Sequence, residues 1–339
     1  MSVLLLSSPS PPLACPYPPR RRASRVGRAS RVGVWKAQAA GAAWAAAETE
    51  APTKGAAFVC PQRLNTTPHA RETRQLFYED CARAAVQAAS MGNTRVNLRS
   101  EIPELNTEGD VYRVGTLLEL ARHVATTLIR ARGDDDAMSV KICVQGSLGE
   151  GIFTGLPLSL SGVRRLLEML DFEDDVADRV RVGAVSADDV EPDVAAYIVL
   201  SPQNIVNGCV VPLLEEMVDA AEALGQTVFV FNPNLADVPS SGGKMQVGGR
   251  KERLQFAKTF EEAYHFRLLY QKPYFYPVYG CLRRTPGEPW CVYKRTGGRR
   301  LDEPEDYVLV GEFPTEPSPK LITGALMRPQ KTEATTRRW

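Results

Sequence analysis

Two glycine-bearing runs are the first candidates for chemistry in this chain of 339 residues. Gly146-Ser-Leu-Gly149-Glu-Gly151 lies between a predicted strand and a predicted helix, where backbone N–H groups at the carboxyl end of a strand hold anions. Its G-x-x-G-x-G spacing differs from the G-x-G-x-x-G of a dinucleotide fold, and no Lys-Ser/Thr pair follows it. Ser240-Ser-Gly-Gly-Lys244 resembles a phosphate loop only superficially. Val238 stands where the first glycine is needed, and Met245 replaces the metal-binding hydroxyl, which excludes a P-loop nucleoside triphosphatase. Lys244, with Arg250 and Arg253 at a basic helix start, would share the carboxyl edge of a sheet with Gly146, Gly149 and Gly151. That edge is a candidate anion or ligand site, with solvated loops as the plain alternative.

Nucleophilic catalysis needs a Ser or Cys, a His to deprotonate it and a group to orient the His. The three histidines do not supply this: His69 sits at a leader junction, and His123 and His265 fall in amphipathic or strand segments that suit structural histidines. The run Glu173-Asp174-Asp175 follows a helix and reads as a solvated turn. Seven cysteines, at 15, 60, 81, 143, 209, 281 and 291, show no zinc-site spacing. No catalytic residue, metal or cofactor is therefore assigned.

Further along, Tyr279, Arg283, Arg284 and Trp290 gather around a Thr285-Pro-Gly287 turn, an aromatic anchor with adjacent arginines of the kind found at the centre of protein interfaces. Burial of the aromatics in a sheet is the competing reading. Cys281 and Cys291 flank the same turn. A three-residue loop pairing Arg284 with Glu288 would set the two thiols opposite each other, whereas a four-residue loop would put them on opposite faces. A cross-strand disulfide hangs on that register.

The elements that must position these residues alternate. Helices are predicted over 71–90, 111–132, 162–170 and 210–224, and strands over 94–98, 139–144, 180–185, 195–200 and 227–231. Such alternation implies an α/β fold of three layers, a mostly parallel sheet with helices on both faces. Beyond Tyr264 the helical periodicity gives way to aromatic segments at 274–284, 290–295 and 307–313, predicting a C-terminal antiparallel extension. A short helix over 318–327 would close it.

Composition sets the boundaries. Seven of the 41 basic residues and none of the 40 acidic ones fall in the first 47 positions, amid Ser, Pro and Ala. Residues 1–60 are thus expected to be a disordered organellar transit peptide, residues 61–330 one α/β domain and residues 331–339 a disordered tail. A mitochondrial address and a second signal for export into the thylakoid lumen are the alternatives. The remaining body is mildly acidic, which argues against nucleic-acid binding. No later run reaches the length of about 18–20 apolar residues that a membrane-spanning helix requires.

Phe231-Asn-Pro-Asn, Arg250-Lys-Glu-Arg253, Tyr276-Pro-Val-Tyr-Gly280, Leu282-Arg-Arg and Pro286-Gly-Glu-Pro-Trp290 together resemble an uncharacterised plastid and cyanobacterial domain. That domain occurs in the Low PSII Accumulation protein and as an appendage of a plastid adenylate kinase. The likeness extends more weakly over residues 70–328. It implies a chloroplast stromal protein, peripheral to the thylakoid, that binds a photosystem II subunit or assembly factor without catalysing a reaction. The alternative is a nucleotide- or phosphometabolite-binding enzyme or regulatory module. The family supplies no catalytic residues to carry over.

Overall fold

The computed structural model describes residues 58, 60, 63–66, 68–105, 111–132, 138–145, 165–167, 169–170, 172–204, 209–235, 249–270, 277–298, 303 and 305–328. The chain divides into two units, Met1–Gln38 and Ala39–Trp339, and the described residues all lie in the second.

Helix α1, Arg71–Ser90, turns Phe77, Cys81, Ala84, Ala85 and Ala88 inward at steps of three and four. Gly92, at φ +82°, ends it. Strand β1 is Arg95–Glu101, helix α2 Val111–Ala131 and strand β2 Ser139–Val144. After the short α3, Asp174–Ala177, come β3, Val180–Ala184, and β4, Val194–Leu200. All seven residues of β4 are buried, as a strand covered on both faces must be. Helix α4, Val211–Ala223, buries Leu214, Met217, Val218 and Ala221, and β5, Thr227–Phe231, follows. Helix α5, Arg250–Ala257, leads into β6, Glu261–Tyr270. Strands β7, Val278–Arg284, β8, Trp290–Gly297, and β9, Glu305–Phe313, precede α6, Pro319–Met327. The Ser318 hydroxyl caps α6 by accepting from the Leu321 N–H.

Among the described residues, nine strands form one sheet in the order β3-β2-β4-β5-β1-β6-β7-β8-β9. Pairings from β3 to β6 are parallel and those from β6 to β9 antiparallel. This is the mostly parallel α/β sheet with the antiparallel extension expected from the sequence. Strand β6 joins the two parts. It runs parallel to β1 on one side and antiparallel to β7 on the other.

Strand alternation assigns the layers. Ala196, Ile198, Leu200, Phe229 and Phe231 share a core with α1 and α2, while Tyr197, Val199, Val228 and Val230 pack with α4 and Phe256 of α5. On the extension, Leu282, Trp290 and Val292 meet Ile322 and Ala325 of α6. The opposite face of the extension carries Val278, Cys281, Cys291 and Tyr293, which join the α1/α2 core.

A strap built from residues 58, 60, 63–66, 68 and 69 contacts that opposite face. The Phe58 ring meets Tyr293 edge-on at 5.5 Å and lies 4.0 Å from the Arg283 guanidinium carbon. Leu64 is wholly buried. The Asn65 side-chain oxygen accepts from the Val278 N–H at 2.7 Å, and its own N–H donates to Glu305 at 3.2 Å. His69 ends the strap with Nδ1 on the Glu104 carboxylate and Nε2 3.0 Å from the Leu64 carbonyl oxygen. Phe58 and Cys60 thus precede the domain boundary expected at residue 61 and still pack into the body.

Candidate functional site

At the carboxyl ends of the parallel strands side-chain amides reinforce the backbone ladders. Gln145, just past β2, donates its Nε2 to the Gln203 carbonyl and accepts from the Gln203 N–H, both at 3.0 Å. Asn232, just past β5, accepts from the Ser100 N–H at 2.7 Å and donates to the Ser100 carbonyl at 3.0 Å. Each amide thereby staples one strand end to its neighbour. Asn204 adds a third link, with Nδ2 donating to the Leu235 carbonyl and Oδ1 accepting from the Val210 N–H.

Two residues at this edge hold the left-handed backbone conformation that side chains disfavour, Ser201 at φ +41° and Asn232 at φ +42°. The Ser201 N–H donates to the Phe231 carbonyl at 2.8 Å, so the strained turn is fixed to the adjacent strand. The Ser201 hydroxyl oxygen is buried and has no hydrogen-bond partner among the described residues. Strained backbone and unsatisfied buried polar groups are both enriched at functional sites. Strand β4 lies between β2 and β5, so Ser201 stands between the strand ends from which residues 146–151 and 236–248 depart.

Of the residues expected at this edge, Gly146, Gly149, Gly151 and Lys244 lie outside the described residues. Arg250 opens α5 exposed to solvent, and Arg253 is half-buried. Gln145, Ser201 and Gln203 escaped sequence reasoning, because a lone amide or hydroxyl after a strand has no motif. The Asn-Pro pair after β5 was visible, but its role as a staple was not.

A second polar region lies where β1, β6 and β7 run side by side. Register pairs Arg99 with His265 and His265 with Arg284, placing all three on the face that carries α4, α5 and α6. Glu262 binds His265 Nδ1 at 2.7 Å and accepts from Asn97 Nδ2 at 3.1 Å, and Arg99 Nε is 4.0 Å away. Burial pushes the Glu262 carboxyl upward, but the His265 hydrogen bond and the charges of Arg99, His265 and Arg284 outweigh it and hold the group below its ordinary value. His265 is 1% exposed, and its Nε2 has no partner among the described residues. Asn97 Oδ1 on β1 and Arg267 Nε on β6 are likewise buried and without a partner among the described residues.

The expected partner-binding residues separate here. Trp290 is buried, with its ring 4.9 Å from His265 and 5.7 Å from the Arg284 guanidinium carbon. Arg283 points to the other face, 6% exposed, with Nε and Nη2 each donating at 2.8 Å to Asp80 and Nη1 donating at 2.6 Å to Glu288. Arg284 is half-buried, with Nη1 on the Glu262 carbonyl. Tyr279 alone of the four is exposed, at 43%. Glu262 was missed in the sequence because β6 itself was not predicted, and Asn97, although it lies in a predicted strand, because its partner was missed.

The Cys281–Cys291 disulfide needs correction. Cys281 pairs with Tyr293 and Cys291 with Arg283, because a five-residue loop, longer than either length considered, connects the strands. The two cysteines share a face but are diagonal neighbours, about 7–8 Å apart between Cα atoms, beyond the reach of an S–S bond. Both thiols are free.

Among the described residues, no cluster of metal-ligating side chains occurs, and no helix is long and apolar enough to cross a membrane. Fold and site together define a mixed α/β domain with a polar, amide-stapled strand edge and an antiparallel extension. A family model for a domain of unknown function, DUF1995, matches residues 71–323, and the chain belongs to that family. The match starts at the first residue of α1, so the strap precedes it.

Proposed function

We propose that this chain is a non-enzymatic plastid protein that assists photosystem II assembly by binding a protein partner on its antiparallel extension. One observation carries the binding mode. Strand β9 ends the sheet, and its adjacent residues Val308 and Leu309 are 45% and 43% exposed. Adjacent strand residues face opposite sides, so the edge offers apolar contacts on both. An edge strand of this kind accepts an extended segment of another chain through main-chain hydrogen bonds. Tyr279 and the exposed Leu321 and Met327 of α6 add apolar surface to the extension.

The client class rests on the resemblance to the Low PSII Accumulation protein. The stromal address, peripheral to the thylakoid, rests on that resemblance and on the acid-free N-terminal composition. The test is affinity purification of the tagged full chain from thylakoid-rich extract, beside a variant carrying Val308→Lys and Leu309→Lys. Photosystem II subunits should be recovered with the parent and fall at least about tenfold with the variant, the loss expected when a hot spot worth about 1.4 kcal/mol or more is removed. Recovery of none, or equal recovery by both, overturns the reading.

A second reading is favoured by the buried hydroxyl of Ser201, one of the two strained strand-end residues: a nucleotide or phosphometabolite bound at the carboxyl edge, in an enzyme or a regulatory module. Lys244, Arg250 and Arg253 would supply positive charge from the loop and helix that follow β5. Thermal-shift measurements with inorganic phosphate and nucleotides on the parent and on Lys244→Gln check it. A shift on the parent that the variant loses supports ligand binding.

A further inference from the structure

Cys60 and Cys281 lie 221 positions apart in sequence, and their Sγ atoms are 3.4 Å apart. Cys60 is in the strap, ahead of the family match, and Cys281 is in the middle of β7. Both are buried in the core between the strap and the extension. The flanking contacts fix this pairing independently of the thiols. Phe58 rests on Tyr293 and Arg283 on one side of Cys60, while Leu64 and Asn65 are anchored on the other. The strap therefore presents its sulfur to β7 before any bond exists between them.

We propose that Cys60 and Cys281 are a dithiol–disulfide pair that covalently locks the strap to the extension. Closing the bond requires the sulfurs to approach from 3.4 Å to about 2.0 Å. A shift of that size is within reach of strap side-chain torsions. The oxidant is an external disulfide, of the class carried by dithiol–disulfide oxidoreductases or by oxidised glutathione. Cys60, 7% exposed, is the thiol such a disulfide can reach, whereas Cys281 is wholly buried. The Cys60 thiolate attacks one sulfur of the external disulfide and expels the other as a thiolate, leaving a mixed disulfide. Cys281 then loses its proton and attacks the Cys60 sulfur, forming the Cys60–Cys281 bond and releasing the second external thiol. Two electrons and two protons leave the protein, and one external disulfide becomes two thiols.

Burial pushes the Cys281 thiol well above its usual range, so the second step is slow unless the partner sulfur is already in place. The strap supplies that placement. The same burial shields the finished bond from thiols in solution, so reversal needs local opening of the strap.

The experiment uses the full chain. It is equilibrated with oxidised or reduced glutathione, its remaining thiols are alkylated under denaturing conditions, and its peptides are mapped by mass spectrometry. The oxidised sample should yield the Cys60 peptide joined to the Cys281 peptide, lighter by two hydrogens than the sum of the two, and the reduced sample should yield both alkylated. Cys60→Ser should abolish the link, and Cys291→Ser should leave it intact. Because the bond closes a very long loop, the oxidised parent should also melt higher by about 5 °C or more, and Cys60→Ser should lose this difference. Alkylation of both residues after oxidation, a link from either one to another cysteine, or equal melting of the linked and reduced forms overturns the proposal.

Discussion

Asp80 of α1 and Arg283 of β7, 203 positions apart in sequence, meet through two hydrogen bonds of 2.8 Å inside the core. The side chains are 4% and 7% exposed, so neither charge has water to fall back on. Burial works against the guanidinium charge, but the hydrogen bonds and charge of Asp80, with Glu288 beyond it, hold it firmly protonated. The pair ties the helix that opens the family domain to the extension near its other end. Its aromatic cover is Phe58 of the strap.

Breaking this pair on one side strands a buried charge. Asp80→Ala or Arg283→Ala should each destabilise by about 3–5 kcal/mol, while a double replacement by apolar residues of similar volume, Asp80→Leu with Arg283→Met, should recover part of the loss. Urea unfolding of the three variants beside the parent measures this. A double variant as unstable as the worse single one would contradict the charge-based account.

Acid should loosen the molecule partly through Glu104 and Glu262. Burial raises both carboxyl groups, but His69 in the first case and His265 with Arg99 in the second pull them net below their ordinary values. A carboxyl lowered by folding adds stability above its unfolded value of about 4.3, and that stability disappears as the pH falls through the folded value. Replacing both with Gln should lower the melting temperature at neutral pH and flatten its decline below about pH 5.

Gly280 permits close pairing of β7 with β8. A Cβ atom there would lie 1.9 Å from the Tyr293 backbone carbonyl oxygen, which a neighbouring side chain cannot relieve. Gly280→Ala should cost about 1–3 kcal/mol or more and appear first as lost amide protection in β7 and β8, measured by hydrogen exchange.

The strained strand ends make opposite predictions. Ser201→Gly should stabilise, because glycine accepts the positive φ and the hydroxyl has no partner among the described residues, and relief of a strain on the order of 1–3 kcal/mol outweighs the roughly 0.4–1 kcal/mol of unfolded-chain entropy that glycine adds. Asn232→Ala should destabilise by about 1–3 kcal/mol, because both hydrogen bonds to Ser100 vanish while the positive φ remains. Thermal denaturation separates the two signs.

Much of this architecture was legible because the parallel core obeys simple periodicities. The limits predicted for β2 and β5 coincide with the observed ones, since each is a compact apolar run between turn signals. Strand β6 was not predicted: Glu261, Glu262, His265 and Arg267 interrupt its apolar pattern, and all but the exposed Glu261 are buried or half-buried among partners contributed by β1 and β7. The Asn97–Glu262–His265 cluster was lost with it. The strap escaped for a different reason. It has no periodic structure, and it is held by pairings such as Cys60–Cys281 and Asn65–Val278 that span more than two hundred positions.

The place of β1 between β5 and β6 bears on how the chain is made. Ser100 leaves the ribosome 132 positions before the Asn232 that completes its hydrogen bonds, and β6 comes later still. At ordinary rates of translation the nascent strand waits on the order of ten seconds with both edges bare. A holdase chaperone that covers residues 95–101 until β5 and β6 have followed would therefore improve the yield of native molecules.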